Sequence, residues 1–218
     1  MKTIAIMQPY FAPYAGYFRL VASADIFVVY DCVQFPRRGW VHRNQMDDIN
    51  GKLAWLGLPL SKQTRDTVIK DLVFAHNAQE EWNQRLANFE HLRHRESIWK
   101  KYQTLHSHPV SYITDVLQYT CNLLGFDTEF INSSDLNIDS KYKGQYRIIE
   151  IVKFLGGGRY INAPGGIELY EKELFQQQGI ELQFLTSYEG VYTSILQRLQ
   201  CEDINALSHE ILRNCKFQ

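Results

Sequence analysis

The chain has 218 residues, of which 45% are hydrophobic and 22% charged, and its formal net charge is −1. This balance is ordinary for a soluble globular protein that buries a sizeable core, and we expect a single α/β domain over residues 1–218. The near-neutral charge argues against general binding of nucleic acid or of membrane surfaces.

Cysteine usage and hydropathy indicate the cellular compartment. The four cysteines are scattered and form no CxxC pair, which is typical of reduced thiols in the cytoplasm. The apolar run in residues 1–6 is too short for a secretory signal, and no stretch approaches the roughly 20 apolar residues that cross a bilayer. We therefore expect a cytoplasmic protein without membrane insertion.

The first thirty residues predict a βαβ unit. Thr3–Met7 is a short β-rich run, Tyr14–Ala24 carries apolar residues at helical spacing, and Ile26–Tyr30 is unbroken in β-branched and aromatic residues. Such unbroken runs are typical of strands covered on both faces. Strand, helix and strand in so short a stretch predict a right-handed crossover in a parallel sheet.

The middle of the chain predicts two more strands and then a helical insert. Lys52–Leu60 and Thr67–Phe74 favour strands around a turn at residues 61–66. An insert at about residues 76–125 follows, with helices predicted at Ala78–His91, Ser97–Leu105 and Val110–Leu124, the last of them ended by Gly125.

Strand and helix alternate again after the insert. The predicted elements are a strand at Asp127–Ile131, a helix at Tyr142–Leu155, a strand at Tyr160–Asn162, a helix at Ile167–Gln178 and a strand at Glu181–Leu185. Alternation at both ends of the chain indicates an α/β fold with a doubly wound, mostly parallel, Rossmann-like sheet. Ligands bind beyond the carboxyl ends of strands in such sheets, so the loops at those ends are the candidate site.

The loop after the first strand, Gln8-Pro9-Tyr10-Phe11-Ala12-Pro13-Tyr14-Ala15-Gly16-Tyr17, is crowded with aromatic and polar groups. It resembles the F-x-P-x-H-x-G-H pattern of the nucleotidylyltransferase superfamily, with Tyr14 and Tyr17 in place of the histidines and one residue fewer after Pro13. The resemblance implies a nucleotidylyltransferase or HUP-like fold, in which a helix N-terminus receives phosphate and Gly16 lies under the nucleotide. Tyrosine supplies no imidazolium at neutral pH, so the fold tolerates this substitution better than adenylyl transfer does. The candidate ligand contacts in this loop are Gln8, Tyr10, Tyr14 and Tyr17.

Two polar residues follow the second predicted strand. Asp31 is a candidate general base, hydroxyl acceptor or Mg²⁺ ligand, and an aspartate there serves equally well as the cap of the following turn. Gln34 is a candidate hydrogen-bonding group to ligand or to backbone.

The segment Arg37-Arg38-Gly39-Trp40-Val41-His42-Arg43-Asn44 places guanidinium groups beside an indole. Guanidinium groups suit phosphate or carboxylate recognition, and an indole offers a stacking surface. A run of charges is usually a solvated face, so we expect only one or two of the arginines to bind. The candidate contacts are Arg38, Trp40, Arg43 and Asn44, with His42 as a catalytic candidate.

A glycine-rich turn follows the strand predicted at Tyr160–Asn162. Backbone N–H groups at such a turn approach anions, although its spacing matches neither a P-loop nor a GxGxxG fingerprint. In a parallel sheet this loop opens at the same edge as the first two. The candidate contacts here are Asn162, Gly165, Gly166 and Tyr170.

Taken together, the motifs at residues 8–18, 31–35, 40–44 and 160–170 resemble the WbqC-like protein family along the whole chain. Members of that family occur among genes of bacterial surface-polysaccharide (O-antigen) biosynthesis, where a glycine-transferring or other aminoacyl-transferring role has been proposed. The resemblance implies a pathway more firmly than a reaction. His42 stands where the family pattern has asparagine.

Three hypotheses follow. In the first, the protein is an aminoacyl or acyl transferase acting on a sugar or nucleotide-linked amino sugar, with Arg38 and Arg43 on the anion and Asp31 as base. In the second, it is a nucleotidylyltransferase-like enzyme that uses ATP or CTP. In the third, it is a non-catalytic module that binds a sugar nucleotide or an acyl carrier protein. The cofactor stays open between a nucleotide and a phosphopantetheine-linked donor, with or without Mg²⁺; the partner expected throughout is a small anionic substrate such as a nucleotide sugar.

Overall fold

Seven β-strands occur in the computed structural model, which describes residues 1–218. They are β1 (Thr3–Met7), β2 (Ile26–Val29), β3 (Arg43–Asp47), β4 (Leu53–Gly57), β5 (Glu129–Asn132), β6 (Arg159–Asn162) and β7 (Glu181–Phe184). Five of them form one parallel sheet in the order β5-β2-β1-β6-β7. The predicted doubly wound, Rossmann-like α/β class is confirmed.

The central strand β1 sets the position of the site. Ile4 lies opposite Ile26 of β2 on one side and opposite Tyr160 of β6 on the other. The chain builds outward from β1 through β2 to β5, and only later adds β6 and β7 on the opposite side. The loops after β1 and β6 therefore leave the sheet in opposite directions, and the crevice between them is a topological switch point.

Eight α-helices surround the strands. They are α1 (Phe18–Ala22), α2 (Ala78–Ala87), α3 (Glu96–Gln103), α4 (Pro109–Leu124), α5 (Gly144–Phe154), α6 (Lys172–Gln177), α7 (Ile195–Cys201) and α8 (Ile204–Arg213). Gly125 ends α4 with a φ of 74°, in the left-handed region that glycine adopts without a Cβ penalty, as the sequence predicts. None of the helices has the length and apolar character that crossing a bilayer requires.

Both faces of the central sheet are buried, because successive side chains of a strand point to opposite faces. Ile4 and Ile6 of β1 belong to a buried cluster that includes α5 and Phe175 of α6. Ala5, on the other face, belongs to a larger cluster that includes apolar residues of α1 and of the helices in residues 78–124. This double burial explains why the strands are continuous apolar runs rather than alternating ones.

A separate antiparallel hairpin, β3–β4, pairs Arg43 with Gly57 and Asp47 with Leu53. The sequence anticipates β4 but not β3. The strand predicted at Thr67–Phe74 is wrong: Ile69–Asp71 is a 3-10 turn, and the flanking residues form only isolated bridges. Its apolar residues Ile69 and Leu72 fill the core instead of joining a sheet.

Two boundaries in the last third also differ from expectation. The helix predicted at Ile167–Gln178 is reduced to α6, because residues 164–169 form a 3-10 turn that begins at Pro164. No helix or strand is predicted after Leu185, and the structure has α7 and α8 beyond it. Helix α8 packs against α1 and α4.

Candidate functional site

A cavity of about 1000 Å³ opens at the switch point. Its walls come mainly from residues 6–20, 40–53, 162–170 and 185–193, with Tyr30 and Ile148 completing them. Binding sites for small molecules usually have volumes of about 300–1,000 Å³, so this one has room for a ligand with several rings.

Most of the predicted ligand contacts line this cavity: Gln8, Tyr10, Tyr14, Tyr17, Trp40, Asn44, Asn162, Gly165, Gly166 and Tyr170. The fold brings them together because β1 and β6 are neighbours and the hairpin β3–β4 lies across the loop after β1. The predicted residues Gln34, Arg38, Arg43, Asp31 and His42 do not line it.

The guanidinium of Arg43 is held by contacts within the protein. Its Nε donates to the Gly39 carbonyl at 3.3 Å, its Nη2 donates to the Arg38 carbonyl at 2.9 Å, and its guanidinium lies 4.2 Å from the centre of the Trp55 ring. Arg38 is exposed outside the cavity, and Gln34 donates to the Arg65 carbonyl at 2.8 Å. The expected anion contacts of Arg38 and Arg43 therefore do not reach this cavity.

Asp31 is 2% exposed and joins the end of β2 to the turn after β5. Its Oδ1 accepts hydrogen bonds from Ser133 Oγ at 2.8 Å and from the Ser134 backbone N–H at 2.9 Å, and its Oδ2 accepts one from Ser134 Oγ at 2.6 Å. These contacts bind Asp31 to the 3-10 turn Ser133–Asp135 and not to the turn that follows Asp31 in the chain. A general base needs hydrogen-bond reach to its substrate, and this carboxylate has none to a ligand in the cavity.

His42 is half-buried and packs edge-on against Phe35. Burial, reinforced by the nearby charges of Arg43 and Arg85, lowers the pKa of His42 from 6.5 to about 4. Its Nδ1 is buried without a hydrogen-bond partner. The imidazole is therefore neutral at neutral pH, and it lies outside the cavity.

This burial predicts a pH-dependent stability. Because the unfolded chain binds a proton at His42 near pH 6.5 and the folded chain only near pH 4, the free energy of unfolding should fall as the pH drops between these values. We expect His42→Gln to flatten that fall, as measured by urea unfolding at pH 7, 5.5 and 4.5. The same substitution at the exposed His91 is the control, and an unchanged slope in His42→Gln would contradict the prediction.

The surroundings of Gly16 differ from those of the corresponding glycine in the nucleotidylyltransferase superfamily. A Cβ on Gly16 would lie 2.2 Å from Cε2 of Tyr14 and 2.8 Å from Cγ of Tyr188. The glycine thus packs under two tyrosine rings, where the comparison places a nucleotide. Tyr14 also stacks on Tyr192, with ring centroids 4.9 Å apart.

The loop after β1 is held in a strained conformation at the cavity edge. Ala12 has a φ of 43°, which is uncommon for a residue with a side chain. Its carbonyl accepts hydrogen bonds from Asn44 Nδ2 at 2.6 Å and from Ser194 Oγ at 2.8 Å. Asn44 therefore lines the cavity and also fixes the backbone that carries Tyr10 and Tyr14.

The opposite wall is built on the end of β6. Asn162 is 6% exposed; its Nδ2 donates to the Tyr170 hydroxyl at 3.1 Å, and its Oδ1 accepts from the Ala163 N–H at 2.7 Å. A Cβ on Gly166 would lie 2.7 Å from Asn162 Nδ2, so any larger residue there would displace this amide. Nearby, burial raises the pKa of Tyr30 to about 12, which keeps its hydroxyl neutral.

One charged residue in the cavity wall is absent from the sequence-based candidates. Arg19 of α1 is 2% exposed, and its guanidinium lies 5.2 Å from the centre of the Tyr188 ring. Its Nε donates to the Gly16 carbonyl at 3.3 Å, and its Nη1 donates to the carbonyls of Thr186 and Asn214, both at 3.0 Å. An arginine inside the apolar run Tyr17-Phe18-Arg19-Leu20-Val21 was the available signal.

The chemistry of the wall is otherwise uniform. Phenol and amide groups supply hydrogen bonds, aromatic rings supply apolar faces, and Arg19 is the only lining residue with a formal charge. No carboxylate, imidazole, thiol or lysine amine is among the lining residues. The arrangement suits recognition of an anionic ligand with polar rings.

Fold and cavity define a doubly wound α/β protein with a large cavity at the switch point of its sheet. The chain belongs to the WbqC-like protein family, whose model matches residues 8–199. It is similar to an uncharacterized protein of Mycobacterium tuberculosis, with 26% identity over 204 residues that cover 87% of this chain and 84% of that relative. No solved structure matches the chain significantly.

Proposed function

We propose that this protein binds a nucleotide-linked sugar in the switch-point cavity and acts on it as an aminoacyl or acyl transferase in bacterial surface-polysaccharide biosynthesis. The observation that carries the proposal is the cavity itself, with about 1000 Å³ lined by tyrosine rings and by the amides of Gln8, Asn44 and Asn162. Sugar and base rings pack on aromatic faces, and amides pair with hydroxyl groups. The pathway is the one that the family resemblance implies.

The lining favours positioning over proton transfer. When a neutral amine of the sugar attacks a thioester carbonyl, a C–N bond forms, the C–S bond breaks, and the leaving thiolate or water takes the proton. That reaction needs no protein base, and holding the two reactants in contact supplies much of the rate enhancement. The proposed donor is therefore a preactivated acyl or aminoacyl group, such as a phosphopantetheine thioester on a carrier protein.

A second candidate, a non-catalytic sugar-nucleotide binding module, is favoured by the same lack of a proton acceptor in the wall. Nucleotidyl transfer has less support. The Tyr17 hydroxyl, at one of the two histidine positions of that superfamily, donates to the Gln8 carbonyl at 2.9 Å and is buried. It offers no cation to a phosphate.

Binding is tested at Gly165, which lines the cavity with open space around its Cβ position. We expect Gly165→Trp to weaken binding of UDP-N-acetylglucosamine at least tenfold, about 1.4 kcal/mol, by filling part of the cavity. Gly165→Ala is the matched control, with unchanged affinity and unchanged Tm. Isothermal calorimetry and thermal shift measure both. The site is refuted if no UDP-, dTDP- or GDP-sugar binds, or if the tryptophan variant binds like the wild type.

Turnover separates the candidates. Incubation of the protein with an amino-sugar nucleotide and an acyl-pantetheine thioester should give an N-acylated product by mass spectrometry. Binding without any product, across acyl and aminoacyl thioesters, would support the non-catalytic module and contradict the transferase. Release of pyrophosphate from ATP or CTP would instead support nucleotidyl transfer.

A further inference from the structure

We infer that Arg19 is the anion-binding residue of the cavity and that its Nη2 group binds one phosphoryl or carboxylate group of the ligand. The inference rests on the proposed function in that the ligand occupies the switch-point cavity. It replaces Arg38 and Arg43, which do not line that cavity, as the source of positive charge.

The guanidinium of Arg19 is buried without an acidic partner. Three carbonyl groups accept from its Nε and Nη1, and none of the salt bridges in the structure includes it. Arg198, the other buried arginine, shows the usual alternative, because it pairs with Glu202 and Glu210. Buried charges are normally paired, so an unpaired one in a cavity wall indicates that its partner is a ligand.

The unused donor of Arg19 is its Nη2. Nη2 has no hydrogen-bond partner in the protein, and it is not fully buried. Arg19 lines the cavity, and we assign the open side of Nη2 to that cavity. The carbonyls of Thr186 and Asn214 fix the rest of the group, so this donor is held in place before a ligand arrives.

The charge of the wall makes the ligand class specific. Arg19 is the only charged lining residue, and no acidic side chain in the wall opposes an anion. A charge-assisted hydrogen bond in a site that excludes water is stronger than the same bond at the surface. One cation with one free nitrogen suits a single anionic group, which a sugar phosphate and a uronic acid both present.

Two variants test the assignment by calorimetry with four probes: UMP, uridine, glucuronate and glucose. The wild type should bind UMP at least tenfold more tightly than uridine, or glucuronate at least tenfold more tightly than glucose. The first preference identifies a phosphoryl ligand and the second a carboxylate. Arg19→Met should abolish the preference while affinity for the neutral partner stays within twofold, and Arg19→Lys should restore part of it.

The outcomes separate this inference from the proposed function. If UDP-N-acetylglucosamine binds and Gly165→Trp blocks it, but Arg19→Met retains full preference for the anion, the assignment of Arg19 is overturned and the cavity stands. The assignment is likewise overturned if Arg38→Met removes the preference. Far-ultraviolet circular dichroism checks the folding of each variant. Should Arg19→Met not fold, equal wild-type affinities within both probe pairs overturn the inference on their own.

Discussion

Arg198→Met is expected to lower the free energy of unfolding by about 1.5–3 kcal/mol, the range for hydrogen bonds to charged groups, because the side chains of Glu202 and Glu210 are 41% and 28% exposed. The Arg198 side chain is 5% exposed, and its Nη2 lies 2.6 Å from Glu210 Oε2 and 2.7 Å from Glu202 Oε2. Its Nη1 also donates to the Tyr188 hydroxyl at 3.2 Å. Without the guanidinium, the partly buried Glu210 carboxylate keeps only the Tyr188 hydroxyl as a side-chain donor.

Urea unfolding measures this loss, with Arg159→Met as the matched control. Arg159 pairs with Glu181 at 2.9 Å on the surface, where both side chains are more than a third exposed, so that change should cost less than about 1 kcal/mol. Adding Glu210→Gln to Arg198→Met should recover part of the loss, since it removes the uncompensated charge. Equal costs at positions 198 and 159 would show that burial of this network contributes nothing.

The same network predicts that the free energy of unfolding falls at acid pH. The hydrogen bond from Arg198 holds the pKa of Glu210 below its ordinary value of 4.5. A depressed carboxyl pKa stabilises the fold above that ordinary value, and the stabilisation is lost as the pH falls through the folded-state value. In Arg198→Met, the part of this acid-induced fall that comes from Glu210 should disappear.

Gly16→Val is expected to destabilise the fold by about 2–3 kcal/mol, near the upper end of the usual cost of overpacking. The added atoms would meet the rings of Tyr14 and Tyr188, at 2.2 Å and 2.8 Å from the Cβ. Tyr188 is held by the Arg198 network and cannot withdraw, so Tyr14 must move. Because Tyr14 lines the cavity, affinity for UDP-N-acetylglucosamine should fall together with Tm.

Gly165→Ala is the control for this substitution as well, since a Cβ there meets no atom within 4 Å and its Tm should stay unchanged. A Gly16→Val protein with the wild-type Tm would contradict the tight packing of the two rings. A normal Tm shift with unchanged affinity would instead show that the position of Tyr14 does not matter to the ligand.

The sheet was predictable because its strands are buried on both faces. Runs such as Ile26–Val29 carry only apolar residues, and no other local structure suits so short a run between a helix and a turn. Strand β3 was not predictable in this way, since Met46 is its only apolar residue and Asn44 its other buried one. At Thr67–Phe74 the apolar residues indicated burial correctly, but burial alone does not specify a strand.

The sequence predicts correctly those cavity residues whose position follows from chain order and from the ends of the strands. Residues that directly follow β1 and β6 reach the cavity because those strands are neighbours. Arg43 shows the limit: a guanidinium available to a ligand and one stacked on Trp55 have the same sequence signature. Arg19 shows the converse, because an arginine in an apolar helix is ordinarily expected at its solvent edge, and only tertiary contacts reveal that its charge is buried.

The central position of β1 also has a consequence for the folding of this protein during its translation. Ile4, near the start of the chain, pairs with Ile26 of β2 and obtains its second neighbour only when Tyr160 has been made. A nascent chain can pair β1 with β2 before β6 is made. Until then, the other edge of β1, an apolar strand, is open. Such edges recruit strands from other molecules, so we expect translational pauses or truncations before residue 159 to yield aggregates or chaperone-bound chains.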